Sequence, residues 1–292
     1  MGRKQNNPIS SFEALESRTM MSVAPALHVE TPAAKPAVVS VPLHAVKPVK
    51  TIQPKTTTKL IRYQNFDNDP LFASGGPTMA DVNQGYLGDC YLLSTLSSVA
   101  NTDPALIEKD IVSDGNGIFT VTFGAGAGKK INVSADLPVW PDGELAYAGL
   151  GRQNCLWVAL MEKAYVIYAS PKTDAYGSIN GGWMSSAFSA LGLSSQTIPT
   201  PGSASNLLAT LQSDLKAGDF TTFGTQNRLP KNSPLVESHA YEVNSVNDNA
   251  QGQPVSVTLR NPWGDAVADD GLITITAQQA FTAFAGVVIA HA

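Results

Sequence analysis

All four tryptophans and all eight tyrosines of this 292-residue chain lie beyond residue 60. Before that point stand one aromatic, Phe12, one glycine, Gly2, and seven of the 19 prolines. A segment of that make-up cannot bury enough apolar area to offset the entropy of ordering it. Residues 1–60 are therefore expected to form a disordered, partly extended tail, with a strand or two near Val38–Val41 as the alternative. The globular part is then residues 61–292. Hydrophobic residues at 43% suit a real core there, and charged residues at 15% exclude a long charged coiled coil. The charge is divided as well: residues 1–60 balance to +5 and the rest to −10, for a net −5. An acidic body excludes a general nucleic-acid binder. No run approaches the length of a membrane-spanning helix. Two cysteines exclude a disulfide scaffold and a four-thiolate zinc site.

The globular part changes character midway. Cys90–Val99, Leu156–Tyr168, Trp183–Leu191 and Ser205–Lys216 read as helices. Ile118–Phe123 and Lys130–Val133 read as strands. After Gly218 strands dominate: Phe220–Phe223, Ala240–Val246, Val255–Arg260, Leu272–Ile275 and Gly286–Ala290, with a short helix at Gln278–Phe284. A helix-rich half followed by a strand-rich half is an α+β arrangement, with a cleft between two lobes as the natural place for chemistry. The lobes are expected at about 61–200 and about 201–292.

One cysteine stands where chemistry is favoured. In Gln84-Gly-Tyr-Leu-Gly88-Asp89-Cys90-Tyr91, a tight loop leads to a cysteine that opens a helix, with Asp89 as candidate N-cap. A helix N-terminus presents unpaired N–H groups and a partial positive charge, which favour the thiolate. The side-chain amide of Gln84, with the Cys90 N–H, is placed to bind an oxyanion. The plainer reading is a packed cysteine. Of four histidines, His28 and His44 lie in the tail and His291 is penultimate, which leaves His239, in Glu237-Ser-His-Ala-Tyr, as the only plausible base. Asn261, in Arg260-Asn-Pro-Trp263-Gly, can accept from an imidazole N–H and orient the ring, with Trp263 as its roof. Alone, these two are also read as a strand-end histidine and an Asn-Pro turn.

Taken together, the blocks QGYLGDCYLL, SHAYEV and LRNPWG resemble the protease core of the calpain family of papain-like cysteine peptidases. GGPTMADVNQG, DLPVWPDGEL, WVALMEKAY and NGGWMSSAF agree too, so the resemblance covers about 75–291. It implies a papain-like two-lobed fold with the active site between a helical lobe carrying Cys90 and a β lobe carrying His239 and Asn261. It implies peptide-bond hydrolysis through a thioester, with Cys90 as nucleophile, His239 as base, Asn261 orienting it, and Gln84 in the oxyanion hole. Trp263, Tyr91, Gly88 and Asp89 support the site, and the partners are protein or peptide substrates, the chain's own tail among them.

Three departures from the family stand out. Tyr91 replaces a tryptophan and is expected to keep an aromatic wall; Ser238 replaces a glycine. The resemblance also implies a calcium site at Asp81 and the carbonyl of Gly76, but Cys155 stands where a carboxylate is expected. Calcium wants oxygen ligands, so the site is expected to be weak or empty and no cofactor is required. Asp265, Asp269 and Asp270 read as an exposed acidic turn, and Cys90 and Cys155 as two free thiols. Two other functions are compatible with the same blocks. One is a non-catalytic interaction module on this fold. The other is a transglutaminase-type acyl transferase, against which Asn261 argues because that chemistry usually orients its base with aspartate. Residues 12–22, FEALESRTMMS, resemble a sorting segment of bacterial exported and surface proteins; export to the cell surface and a cytoplasmic place are both carried as expectations, with a fortuitous amphipathic turn as the plainer reading of the segment.

Overall fold

A computed structural model describes residues 61–172 and 175–291. The tail, with the strands weighed near Val38–Val41 and the segment 12–22, lies outside the described residues.

The first lobe opens with β1 (Arg62–Asn65). Helix α1 (Cys90–Thr102) follows, then α2 (Pro104–Asp110), whose start is set by Pro104 at its first turn and an Asp103 side chain that accepts from the Ala105 N–H. Next come β2 (Ile111–Gly115), β3 (Ile118–Phe123), β4 (Lys129–Ser134) and β5 (Asp136–Val139). Helices α3 (Trp157–Ala169) and α4 (Met184–Ala190) complete the lobe. β2, β3 and β4 form a three-stranded antiparallel sheet, and β1 pairs with β5.

Strand β6 (Ser194–Thr197) begins the second lobe. It is followed by α5 (Ala204–Ala217), β7 (Phe220–Thr225), β8 (Ala240–Asp248), β9 (Pro254–Arg260), β10 (Leu272–Thr276), α6 (Ala277–Ala283) and β11 (Phe284–His291). Six of these strands make one sheet in the order β10-β9-β8-β7-β11-β6. The second lobe therefore starts before residue 200, because β6 pairs with β11 across Thr197↔Val288. The first lobe also holds more strand than its helical reading allowed.

Two cores follow from this plan. One gathers α1, α3 and the small sheets around Leu93, Leu96, Trp157 and Phe188; the other packs α5 and α6 on the large sheet around Leu211, Tyr241, Leu259 and Ile289. α1 lies between them, which explains its composition. Its residues Cys90 to Ala100 are all buried, the serines and threonine included. The polar side has partners across the lobe boundary: Ser98 Oγ accepts from the Thr221 N–H at 2.9 Å, and Ser97 Oγ donates to the Glu242 carboxylate. Among the described residues, no helix is long and apolar enough to cross a membrane.

Candidate active site

The end of each structural element supplies one piece of the site. Cys90 is the first residue of α1 and is buried. Its sulfur faces the backbone N–H groups of Ala240, Tyr91 and Cys90 itself. Ala240 is the first residue of β8, and the residue before it, His239, stands at the mouth of that strand. Thr225 at the end of β7 holds it there: Thr225 Oγ1 accepts from the His239 N–H at 2.9 Å, and the Thr225 N–H donates to the His239 carbonyl at 2.9 Å.

Beyond the end of β9, Asn261 meets the imidazole. His239 Nε2 and Asn261 Oδ1 are 2.9 Å apart. The Trp263 N–H also donates to Asn261 Oδ1, at 3.1 Å, which fixes which end of the amide faces the ring. An amide oxygen only accepts, so Nε2 carries the proton and Nδ1 is left with its lone pair. Trp263 covers the imidazole at 5.2 Å between ring centroids, and Tyr241 meets it edge-on at 4.9 Å. The other described histidine, His291, pairs with Asp219 at 2.6 Å and takes no part in the site.

Electrostatics revise the expected thiolate. N–H groups of the helix start do face the sulfur, but burial outweighs them and pushes the thiol up to about 12, with the charge of Asp89 adding to the effect. Burial likewise lowers His239 to about 4, against a smaller opposing effect of its bond to Asn261. Both shifts favour the neutral forms, a thiol at Cys90 and an imidazole at His239.

Gln84 is bound differently from the expectation. Its backbone N–H crosses the lobe boundary to the Pro262 carbonyl at 2.8 Å. Its side-chain amide, however, donates to Leu87 O at 2.6 Å and to Asp89 Oδ1 at 3.3 Å, while the amide oxygen is buried without a partner. Both amide protons are thus engaged within the loop, because the buried Asp89 carboxyl attracts a donor. For the same reason Asp89 does not cap α1 with its side chain. Burial raises Asp89 to about 7, and the neighbouring Glu162 carboxyl is raised as well, first by burial and then by Asp89.

The remaining supports are tightly placed. The Gly88 N–H donates to Asn180 Oδ1 at 2.9 Å, and the Gly88 carbonyl accepts from Gly181 at 2.8 Å. Tyr91 is not a cleft wall. It is buried, donates to Ile179 O at 3.2 Å, and lies so close under Gly182 that a Cβ there would sit 2.4 Å from its ring. A smaller ring than indole, with a hydroxyl to satisfy, turns into the lobe. Cys90 and Cys155 are both free and buried. Asp81 and Gly76 O do converge, on the guanidinium of Arg152, and Asp270 is bound by Arg260 at 2.9 Å. Sequence reading missed both arginines. The signal for Arg152 was a basic residue just before the cysteine that replaces an expected carboxylate.

The family model described as calpain family cysteine protease matches residues 34–271. The chain belongs to the calpain family. Calpain-8 of Homo sapiens is 30% identical over 211 residues, which cover 67% of this chain and 29% of that protein. The calpain-2 catalytic subunit of Gallus gallus is 28% identical over 212 residues, 67% of this chain and 29% of the relative. Calpain clp-1 of Caenorhabditis elegans is 28% identical over 230 residues, 73% and 28% respectively. The calpain match thus spans less than a third of each relative, and its start at residue 34 lies inside the segment read as a tail.

Proposed function

We propose that the chain is a cysteine endopeptidase that cuts protein substrates through a thioester on Cys90. The reading rests on one observation above the others: His239 is bonded to Asn261 through Nε2 while its neighbour Ala240 meets the Cys90 sulfur. That leaves Nδ1 for the thiol proton. When a substrate carbonyl enters, the thiol passes its proton to Nδ1 and the sulfur attacks the carbonyl carbon. The tetrahedral oxygen is held by the Cys90 N–H and by Gln84 once its amide turns away from Asp89. The imidazolium then protonates the leaving amine, and water, activated by the same ring, hydrolyses the thioester. Limited cuts in exposed, flexible segments of proteins are what the calpain resemblance implies.

An epoxide-type cysteine probe tests the reading on the full chain, beside Cys90→Ala and His239→Ala. Labelling is expected on Cys90 in the wild type, none in Cys90→Ala, and a loss of about 100-fold or more in rate in His239→Ala. Equal labelling of wild type and His239→Ala would refute the proposed base. No labelling of the wild type with peptidyl probes would favour the non-catalytic module. Amine incorporation exceeding hydrolysis would favour the acyl transferase.

A further inference from the structure

The donor set around Asp81 does not fit a calcium ion. The Asp81 carboxylate is fully buried and already accepts five hydrogen bonds. Oδ1 takes Arg152 Nε at 2.8 Å and the Arg152 backbone N–H at 3.0 Å. Oδ2 takes the Thr78 N–H at 2.8 Å, the Trp157 indole at 3.0 Å and Arg152 Nη2 at 3.3 Å. The Gly76 carbonyl accepts from the same Nη2 at 3.0 Å. The other position belongs to Cys155, a buried free thiol. A sulfur is a poor ligand for a hard cation that takes oxygen. Space is short too: a Cβ on Gly151 would lie 2.5 Å from Cys155 Sγ and 2.6 Å from Asp81 Cβ.

We propose that Arg152 is a built-in cation that fills this place permanently and positions the nucleophile segment without metal. The guanidinium suits the task because its planar fork can reach a carboxylate and a carbonyl together and never loses its charge. It ties three pieces of chain: the Gly76 loop, Asp81, and the turn leading into α3. A second bond joins the same pieces, from the Ser74 N–H to Gln153 Oε1 at 2.9 Å. The turn is strained, with φ of +55° at Gln153 and +59° at Asn154, and such conformations persist only where neighbours enforce them. What Asp81 anchors runs straight into the site. Val82 O takes Arg260 at 3.1 Å, Asn83 Oδ1 takes the Asp265 N–H at 3.0 Å, and Gln84 N–H reaches Pro262 O at 2.8 Å. Fixing Asp81 therefore fixes the strip that meets the second lobe and leads to Cys90. Only the catalytic consequence rests on the peptidase reading; the metal-binding prediction does not.

The test is calcium titration by calorimetry and melting in millimolar calcium or chelator, on the full chain. Wild type is expected to give no binding heat and the same Tm in both, and Cys90 is expected to label equally in both. Arg152→Ala is expected to melt several degrees lower, with part of the loss restored by methylguanidinium. Arg152→Lys, which keeps the charge but not the fork, is expected between them. Arg152→Ala with Cys155→Glu is expected to gain a calcium-dependent rise in Tm. Saturable calcium heat in wild type that Asp81→Asn abolishes would overturn the proposal. So would an Arg152→Ala protein that melts and labels like wild type. If Arg152→Ala does not fold, the wild-type titration and the lysine variant decide, and a lysine variant indistinguishable from wild type counts against the fork. An unlabelled wild type would sink the peptidase reading while leaving the calorimetry and melting results in force.

Discussion

Ser238 holds φ at +49°, in the left-handed region, directly before the histidine. Its N–H donates to Gln226 O at 2.9 Å, and the bend it makes turns His239 from the loop into β8. This is why the family favours glycine there: the backbone needs a conformation that a Cβ opposes by about 1–2 kcal/mol. Ser238→Gly relieves that cost but gives back part of it as backbone entropy in the unfolded chain. The expected net gain is about 0.5–1 kcal/mol in denaturant unfolding, with probe labelling of Cys90 unchanged or faster. His239 itself carries a pH signature. Its folded value, about 4, lies below the ordinary 6.5, so the unfolded chain binds more protons between the two. The stability from the neutral ring is fully present above about pH 6.5 and is lost as pH falls through 4. In His239→Gln the slope of stability against pH over that window is expected to flatten; an unchanged slope would mean other groups cause it.

At the scale of elements, α1 decides how the lobes meet. Ser98 Oγ is the acceptor for the buried Thr221 N–H at the start of β7. Ser98→Ala leaves that N–H unpaired, at an expected cost of about 1–3 kcal/mol, read by urea unfolding. A cost near zero would imply that another acceptor replaces it. The sequence made α1, α3, α4, α5 and the strands β3, β7, β8, β9 and β11 legible, because each alternates or repeats its apolar residues. It did not reveal β1, RYQN, or β6, SSQT, which have no apolar pattern and are strands only through pairing with β5 and β11. β5 contains Pro138, which argues against a strand but is tolerated in a two-stranded sheet. The start of α2 was there to be read in Asp103-Pro104. In the candidate site, the pairing of His239 with Asn261 was legible from residue type and order. The direction of the Gln84 amide was not, since it depends on a buried Asp89 whose surroundings come from distant α3.

For the whole molecule, a buried charge of the second lobe sits at the joint with the first. Arg260 is fully buried on β9, opposite Glu242 on β8. It donates to Val82 O in the first lobe and to Asp270, and lies 3.4 Å from Ser97 Oγ on α1. Asp270 is therefore the partner of this arginine and not part of a free acidic turn. Removing one side of such a group strands the other: Arg260→Ala is expected to cost about 3–5 kcal/mol and to slow Cys90 labelling beyond what the lost stability explains. Arg260→Met with Glu242→Leu is expected to recover most of the stability and not the labelling. If the single variant unfolds like wild type, the joint is not what holds the lobes.

The burial of a protonated Cys90 bears on how the protein meets oxidants. Peroxide and disulfide exchange act on thiolates that solvent can reach. Cys90 is 3% exposed and, at rest, protonated. A thiol kept in that state is spared sulfenic acid formation and mixed disulfides. On the proposed reading of Cys90 as nucleophile, its vulnerability falls in the interval when substrate is bound, so oxidative loss follows turnover and not the age of the protein.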